Sequence, residues 1–147
     1  MVAVGCGEAA LALMLSTGCA HKGSGKVESV FDDPHFKVGV ATPPAVKPNH
    51  EATAQVFVDP IAPYHVNLDF PTKLTLQSPS GVEMAATSFD KAAAQQLDET
   101  KLVFAVPFTA TSEGRKTFQG RLEFAVCTDD ECVPAKLPVE FAVVVGK

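Results

Sequence analysis

Cys127 and Cys132 stand five positions apart, with Thr128, Asp129, Asp130 and Glu131 between them. Two thiols this close can staple a turn, or exchange electrons with a partner's thiols through a mixed disulfide. The three acids between them disfavour a thiolate and raise the thiol pKa, and no Lys, Arg or His in the segment opposes this. Such a pair would react mainly with partners that dock and bring their own activated thiol. As a staple, a six-residue loop gains only about 2 kcal/mol in the chain-entropy account. Both uses therefore stay open. His35, His50 and His65 are the remaining candidates for metal ligation alongside these cysteines, but nothing in their spacing brings them to the pair. There is no nucleophile elbow, phosphate loop or paired catalytic carboxylate, so neither a metal nor a cofactor is expected.

The cysteines need a scaffold, and the flanking sequence describes one. Four polar residues between two β-rich runs read as a hairpin loop, which puts Cys127 opposite Cys132. The next pairs are Val126–Val133, Ala125–Pro134, Phe124–Ala135, Glu123–Lys136, Leu122–Leu137 and, further in, Phe118–Phe141. This register sets opposite charges together and apolar groups together, and a slip of one residue would reverse every face. By parity, Leu122, Phe124 and Val126 face the core, and so do Val133, Leu137, Val139 and Phe141. Both sulfurs then point away from the core on the same side, at a separation a disulfide can bridge. Pro134 and Pro138 lie four apart, so both lack an N–H on the same side. If Cys127–Cys132 is a non-hydrogen-bonded pair, that side faces away from the hairpin partner and should be a free edge, because proline cannot serve a central strand.

The rest of the chain is consistent with one domain of 147 residues. A hydrophobic content of 46% is enough to bury a core, and a net charge of −5 without a basic stripe argues against a nucleic-acid partner. The sequence predicts strands at 36–41, 52–58, 64–68, 73–77, 102–108, 117–127 and 132–145. Turn-forming residues separate them, such as Pro43-Pro44, Asp59-Pro60 and Ser78-Pro79-Ser80-Gly81. In the 102–108 run, Leu102, Phe104, Val106 and Phe108 share one face. The helix-like stretch 91–97 is too short to stand alone and reads as loop. Short strands at this spacing predict an all-β sandwich or barrel. At the N-terminus, an apolar run at 9–15 followed by Ser16-Thr17-Gly18-Cys19 reads as an export signal over 1–19. It resembles the bacterial lipobox, with Cys19 as the lipidated residue, although Ser16 stands where leucine is usual. Residues 20–35, rich in Gly, Ser, Lys and Asp, read as a flexible tether to a domain over 36–147. Export would place the Cys127–Cys132 pair where disulfides persist, in the periplasm or cell envelope.

Residues 124–134, Phe-Ala-Val-Cys-Thr-Asp-Asp-Glu-Cys-Val-Pro, resemble the cysteine hairpin of the periplasmic N-terminal domain of DsbD, the thiol:disulfide interchange protein. Pro63-Tyr64-His65-Val66 resembles that family's aromatic strand, and Gly81-Val82-Glu83 the segment before its shielding loop. The resemblance implies an immunoglobulin-like sandwich. It also implies that Cys127 and Cys132 form an exchanging disulfide, with Tyr64 beside it and Phe89 as its aromatic cap. The activity implied is thiol–disulfide interchange, of oxidoreductase type. The implied partners are a membrane-embedded thiol reductase and periplasmic thioredoxin-like proteins, with membrane contact through the lipid anchor only. The alternative is a lipid-anchored immunoglobulin-like protein-binding module whose hairpin disulfide is structural. The exposed edge strand would serve either, by adding a partner's strand or docking a thioredoxin-like face.

Overall fold

A computed structural model describes residues 25–146. Period-two alternation of apolar and polar residues builds its strands. In chain order they are β1 (Lys26–Asp33), β2 (Phe36–Thr42), β3 (Glu51–Pro60), β4 (His65–Val66), β5 (Lys73–Gln77), β6 (Val82–Glu83), β7 (Ser88–Asp90), β8 (Gln96–Asp98), β9 (Lys101–Ala110), β10 (Gly114–Cys127) and β11 (Cys132–Val145). They form two antiparallel sheets. One runs β1-β2-β3-β9-β6, with β8 also on β9; the other runs β11-β10-β5-β7, with β4 also on β10. The fold is an all-β sandwich of two antiparallel sheets. The export and lipidation reading of 1–19, Cys19 included, lies outside the described residues.

Phenylalanines from facing strands close the core. Phe36 meets Phe124 edge-on with ring centroids 4.8 Å apart, Phe108 meets Phe118 at 5.1 Å, and Phe89 meets Phe104 at 6.3 Å. Each of these pairs joins one sheet to the other. Within the second sheet, Phe118 stacks on its directly opposed partner Phe141 at 4.8 Å. Such pairs add roughly 0.5–1.5 kcal/mol each beyond the area they bury. On β9 the inward residues Leu102, Phe104, Val106 and Phe108 are all buried, as the alternation requires. Gly120 in β10 permits a close strand approach: a Cβ there would stand 1.9 Å from the Thr75 carbonyl oxygen.

The N-terminal boundary differs from the sequence reading. Residues 26–33, expected within the tether, form β1 and pair antiparallel with β2. Nearly every β1 side chain is exposed, so the strand carries no apolar alternation to betray it. Within the helix-like stretch, Lys91–Ala93 is one 3-10 turn, capped by the Asp90 carboxylate, which accepts from Ala92 N. β8 follows it and pairs with β9.

Candidate functional site

The β10–β11 hairpin has the register its sequence predicts at every position from Cys127↔Cys132 inward to Gly114↔Val145. Thr128 organises its loop. The Thr128 N–H donates to Glu131 O at 2.8 Å, and the Thr128 hydroxyl accepts from the N–H groups of Asp130 and Glu131 at 3.1 and 3.2 Å. Because 128:131 is a hydrogen-bonded pair, 127:132 is a non-hydrogen-bonded one, and its Cα atoms approach to 4.0 Å. Cys127 and Cys132 are joined there by a disulfide.

The two sulfurs sit in different surroundings. Cys132 is exposed, whereas Cys127 is buried, with β4 beside it in the same sheet and His65 as its ladder partner there. Asn67, which bonds the Ala125 carbonyl through its own N–H, aims its amide at both sulfurs. Asn67 Nδ2 lies 3.3 Å from Cys127 Sγ and 3.9 Å from Cys132 Sγ. An incoming thiol could therefore approach only the Cys132 side. The Tyr64 hydroxyl donates to the Glu131 carboxylate, which ties the loop to the 60–64 connection. This bond, with the negative charge behind it, raises the Tyr64 pKa. The His35 ring packs edge-on against Tyr64 at 4.8 Å and pairs with the Asp33 carboxylate. The Asp33 pKa is lowered, chiefly by the His35 backbone N–H bonded to it.

Tyr64 sits at the hairpin, where it bonds the loop through Glu131. Phe89 does not cap the disulfide. It is buried in the core against Phe104, in β7, opposite Leu74 of β5, which in turn pairs with Leu122. Its parity along β7 aims it between the sheets. The residue over the sulfurs is Asn67, which no sequence pattern marked. Of the histidines, His65 reaches Cys127 across the ladder, while His50 bonds the Pro48 carbonyl in a distant turn. His65 Nδ1 is buried with Glu99 Oε2 at 3.9 Å, beyond hydrogen-bond reach. Among the described residues no three His, Cys, Asp or Glu side chains converge in a metal-ligating group.

The edge carries the second feature of the site. β11 is the terminal strand of its sheet. Since 127:132 is non-hydrogen-bonded, the even-numbered residues of β11 turn their N–H and C=O groups outward. Pro134 and Pro138 occupy two of those positions, so the half near the hairpin offers few donors. At the far end the Gly146 N–H donates to Val46 O at 2.9 Å, beside a parallel bridge between Val46 and Val145. Between these blocks lies 140–144, with outward backbone groups at Glu140, Ala142 and Val144. Val144 is 65% exposed. A groove of about 1000 Å³ runs along this stretch, walled by Arg115 and Thr117 on one side and by Lys26, Thr42 and Pro43 on the other. The opposite sheet protects its own edge differently, since β1 carries a bulge between Ser29 and Phe31 and several charges.

No protein-family model matches the chain, and no curated protein matches it in sequence. Among solved structures it is similar to the yeast GGA1_GAE domain–P21 crystal structure, at 8% identity over 80% of this chain and 98% of that one, with a TM-score of 0.49. It is also similar to the GAE domain of GGA2p from Saccharomyces cerevisiae, at 10% identity over 80% of this chain and 97% of that one, with a TM-score of 0.46. These neighbours are not DsbD domains, and no comparison supports that family, so the DsbD resemblance is corrected. The reductase and thioredoxin-like partners inferred from it lose their basis. The Cys-Val-Pro pattern suits the local strand geometry. Cysteines at the last non-hydrogen-bonded pair of a hairpin, followed two residues later by a proline whose missing N–H faces an edge, satisfy strand geometry without common descent.

Proposed function

We propose that this chain is an immunoglobulin-like protein-binding module that engages partners through the β11 edge, with the Cys127–Cys132 disulfide as a structural staple. The observation that supports it most is the 140–144 stretch, where outward backbone groups flank a groove and neither proline nor the Val46 segment blocks a partner's strand. Strand addition uses such an edge: main-chain bonds supply affinity and the flanking side chains supply selectivity. The staple reading rests on the setting of the bond. The hairpin register already holds the two cysteines opposed, the Thr128 loop bonds itself, and Cys127 is covered.

A disulfide of this kind belongs in an oxidising compartment, which supports the periplasm or cell envelope as its location. Export through 1–19, lipid attachment at Cys19 and a short linker into β1 complete the proposal. The intact mass of the protein purified from membranes tests the lipid.

The functional test uses the full chain as bait for envelope proteins, beside Ala142→Pro and Cys127→Ser/Cys132→Ser. Proline at 142 removes one outward donor and should abolish specific capture. The double serine variant should capture the same partner. Capture that survives Ala142→Pro but fails without the cysteines would overturn the reading in favour of a thiol-dependent contact.

A further inference from the structure

We infer that the groove beside 140–144 takes a short extended peptide from another protein, running antiparallel to β11, with an acidic side chain at its N-terminal end, a basic one at its C-terminal end and apolar side chains between. This rests on the binding-module reading and specifies the ligand. The length follows from the edge. Val46 already occupies the slot beside Val145, and Pro138 withdraws the donor at the other end, so ladder bonds are available over about five residues. The same block excludes a second copy of β11 centred on Ala142. That strand is continuous from Cys132 to Val145 and would run into Val46.

The side chains follow from the faces. Glu140, Ala142 and Val144 point to the outer face of the sheet, where their neighbours on β10 are Gln119, Thr117 and Arg115. A peptide residue opposite Val144 lies in one row with Val144 and Arg115. Arg115 forms no ion pair among the described residues, so an acid in that row complements it. A residue opposite Glu140 meets a carboxylate held by Gln119 Nε2 at 3.1 Å, and a base complements it. The two alternate peptide residues turn inward beside Phe141 and Val143, toward the Thr42-Pro43-Pro44 wall, where apolar side chains fit. The antiparallel direction is chosen because its ladder is the more stable per residue. At about 1000 Å³ the groove is at the upper end of ordinary ligand clefts, enough for such a segment.

The experiment is a fluorescence anisotropy titration of the full chain with a labelled, blocked peptide Glu-Val-Thr-Val-Lys, against Lys-Val-Thr-Val-Glu. The first should bind at least about fivefold more tightly, and Ala142→Pro should abolish its binding. In Arg115→Glu/Glu140→Lys, whose changes are at exposed positions, the preference should reverse. That variant keeps the test decisive if Ala142→Pro fails to fold. Equal binding of both peptides, or an unchanged preference in the charge-swapped variant, overturns the assignment. If neither peptide binds while Ala142→Pro still loses its natural partner, this inference fails and the module reading stands. If Ala142→Pro keeps its natural partner, the reading itself fails.

Discussion

Replacing both hairpin cysteines by serine measures what the disulfide does for the fold. The bond closes a loop with a sequence separation of 5, so it removes little freedom from the unfolded chain. The chain-entropy relation gives about 2 kcal/mol for six residues at room temperature. The folded state loses little else, because the 14 paired positions of β10 and β11 fix the register and Thr128 bonds the loop. With about 120 described residues, an unfolding entropy of roughly 2 cal/mol/K per residue converts this to a fall in Tm of roughly 8 °C. Reversible urea unfolding, followed by far-UV circular dichroism, should show a lower midpoint with nearly the same slope, since so short a cross-link barely restricts exposure. A loss above about 4 kcal/mol would mean that the bond holds structure that the ladder does not. No loss at all would mean that it is no staple. Either result refutes the reasoning.

Other perturbations probe separate parts of the account. Gly120→Ala drives a Cβ to 1.9 Å from the Thr75 carbonyl, so β5 must shift; a loss of about 2–3 kcal/mol in the same unfolding assay is expected. Tyr64 is the only tyrosine, so phenolate absorbance reports it alone. Its titration should lie above the ordinary tyrosine value and move back down in Glu131→Gln, which replaces the charged carboxylate acceptor by a weaker, neutral amide oxygen. Because the folded pKa is the higher one, the stabilisation is full below the unfolded value and lost as pH rises through the folded one. Asp98 goes the other way. Bonds from the Thr100 hydroxyl, the Gln96 amide and the Thr100 and Lys101 N–H groups hold its pKa at about 2. Its contribution is present above about 4 and lost as pH falls toward 2. In Thr100→Ala its NMR titration should move back up toward the ordinary carboxylate range.

The parts of this fold that could be read in the sequence are those where burial is one-sided. The β10–β11 register follows from counting outward from the cysteines, because any slip would bury Glu123 or expose Phe124. The edge position of β11 was visible in Pro134 and Pro138 for an equally physical reason. β1 was not, since its side chains are exposed on nearly every position and its pairing with β2 is a property of the backbone alone. β6, β7 and β8 span two or three residues, too few for any period to register. The site was legible only in part. Asn67 comes to the sulfurs from a loop, and such placement depends on where β4 docks rather than on any local pattern. The groove is formed where the start of β1 and the end of β2 approach β11, so it belongs to neither segment's sequence. Phe89 was misplaced because an aromatic residue near a loop reads the same whether it turns outward over a neighbour or inward to the core.

The most direct test of the staple reading against an exchanging pair is the reduction potential of Cys127–Cys132. The domain is equilibrated in dithiothreitol buffers and its thiol state read by alkylation and mass. Two cysteines held opposed by the ladder re-form their bond readily, and Cys127 is buried with Asn67 at its sulfur, so the account expects a value below about −300 mV. A value of roughly −180 to −270 mV, the range of exchange proteins, would contradict it.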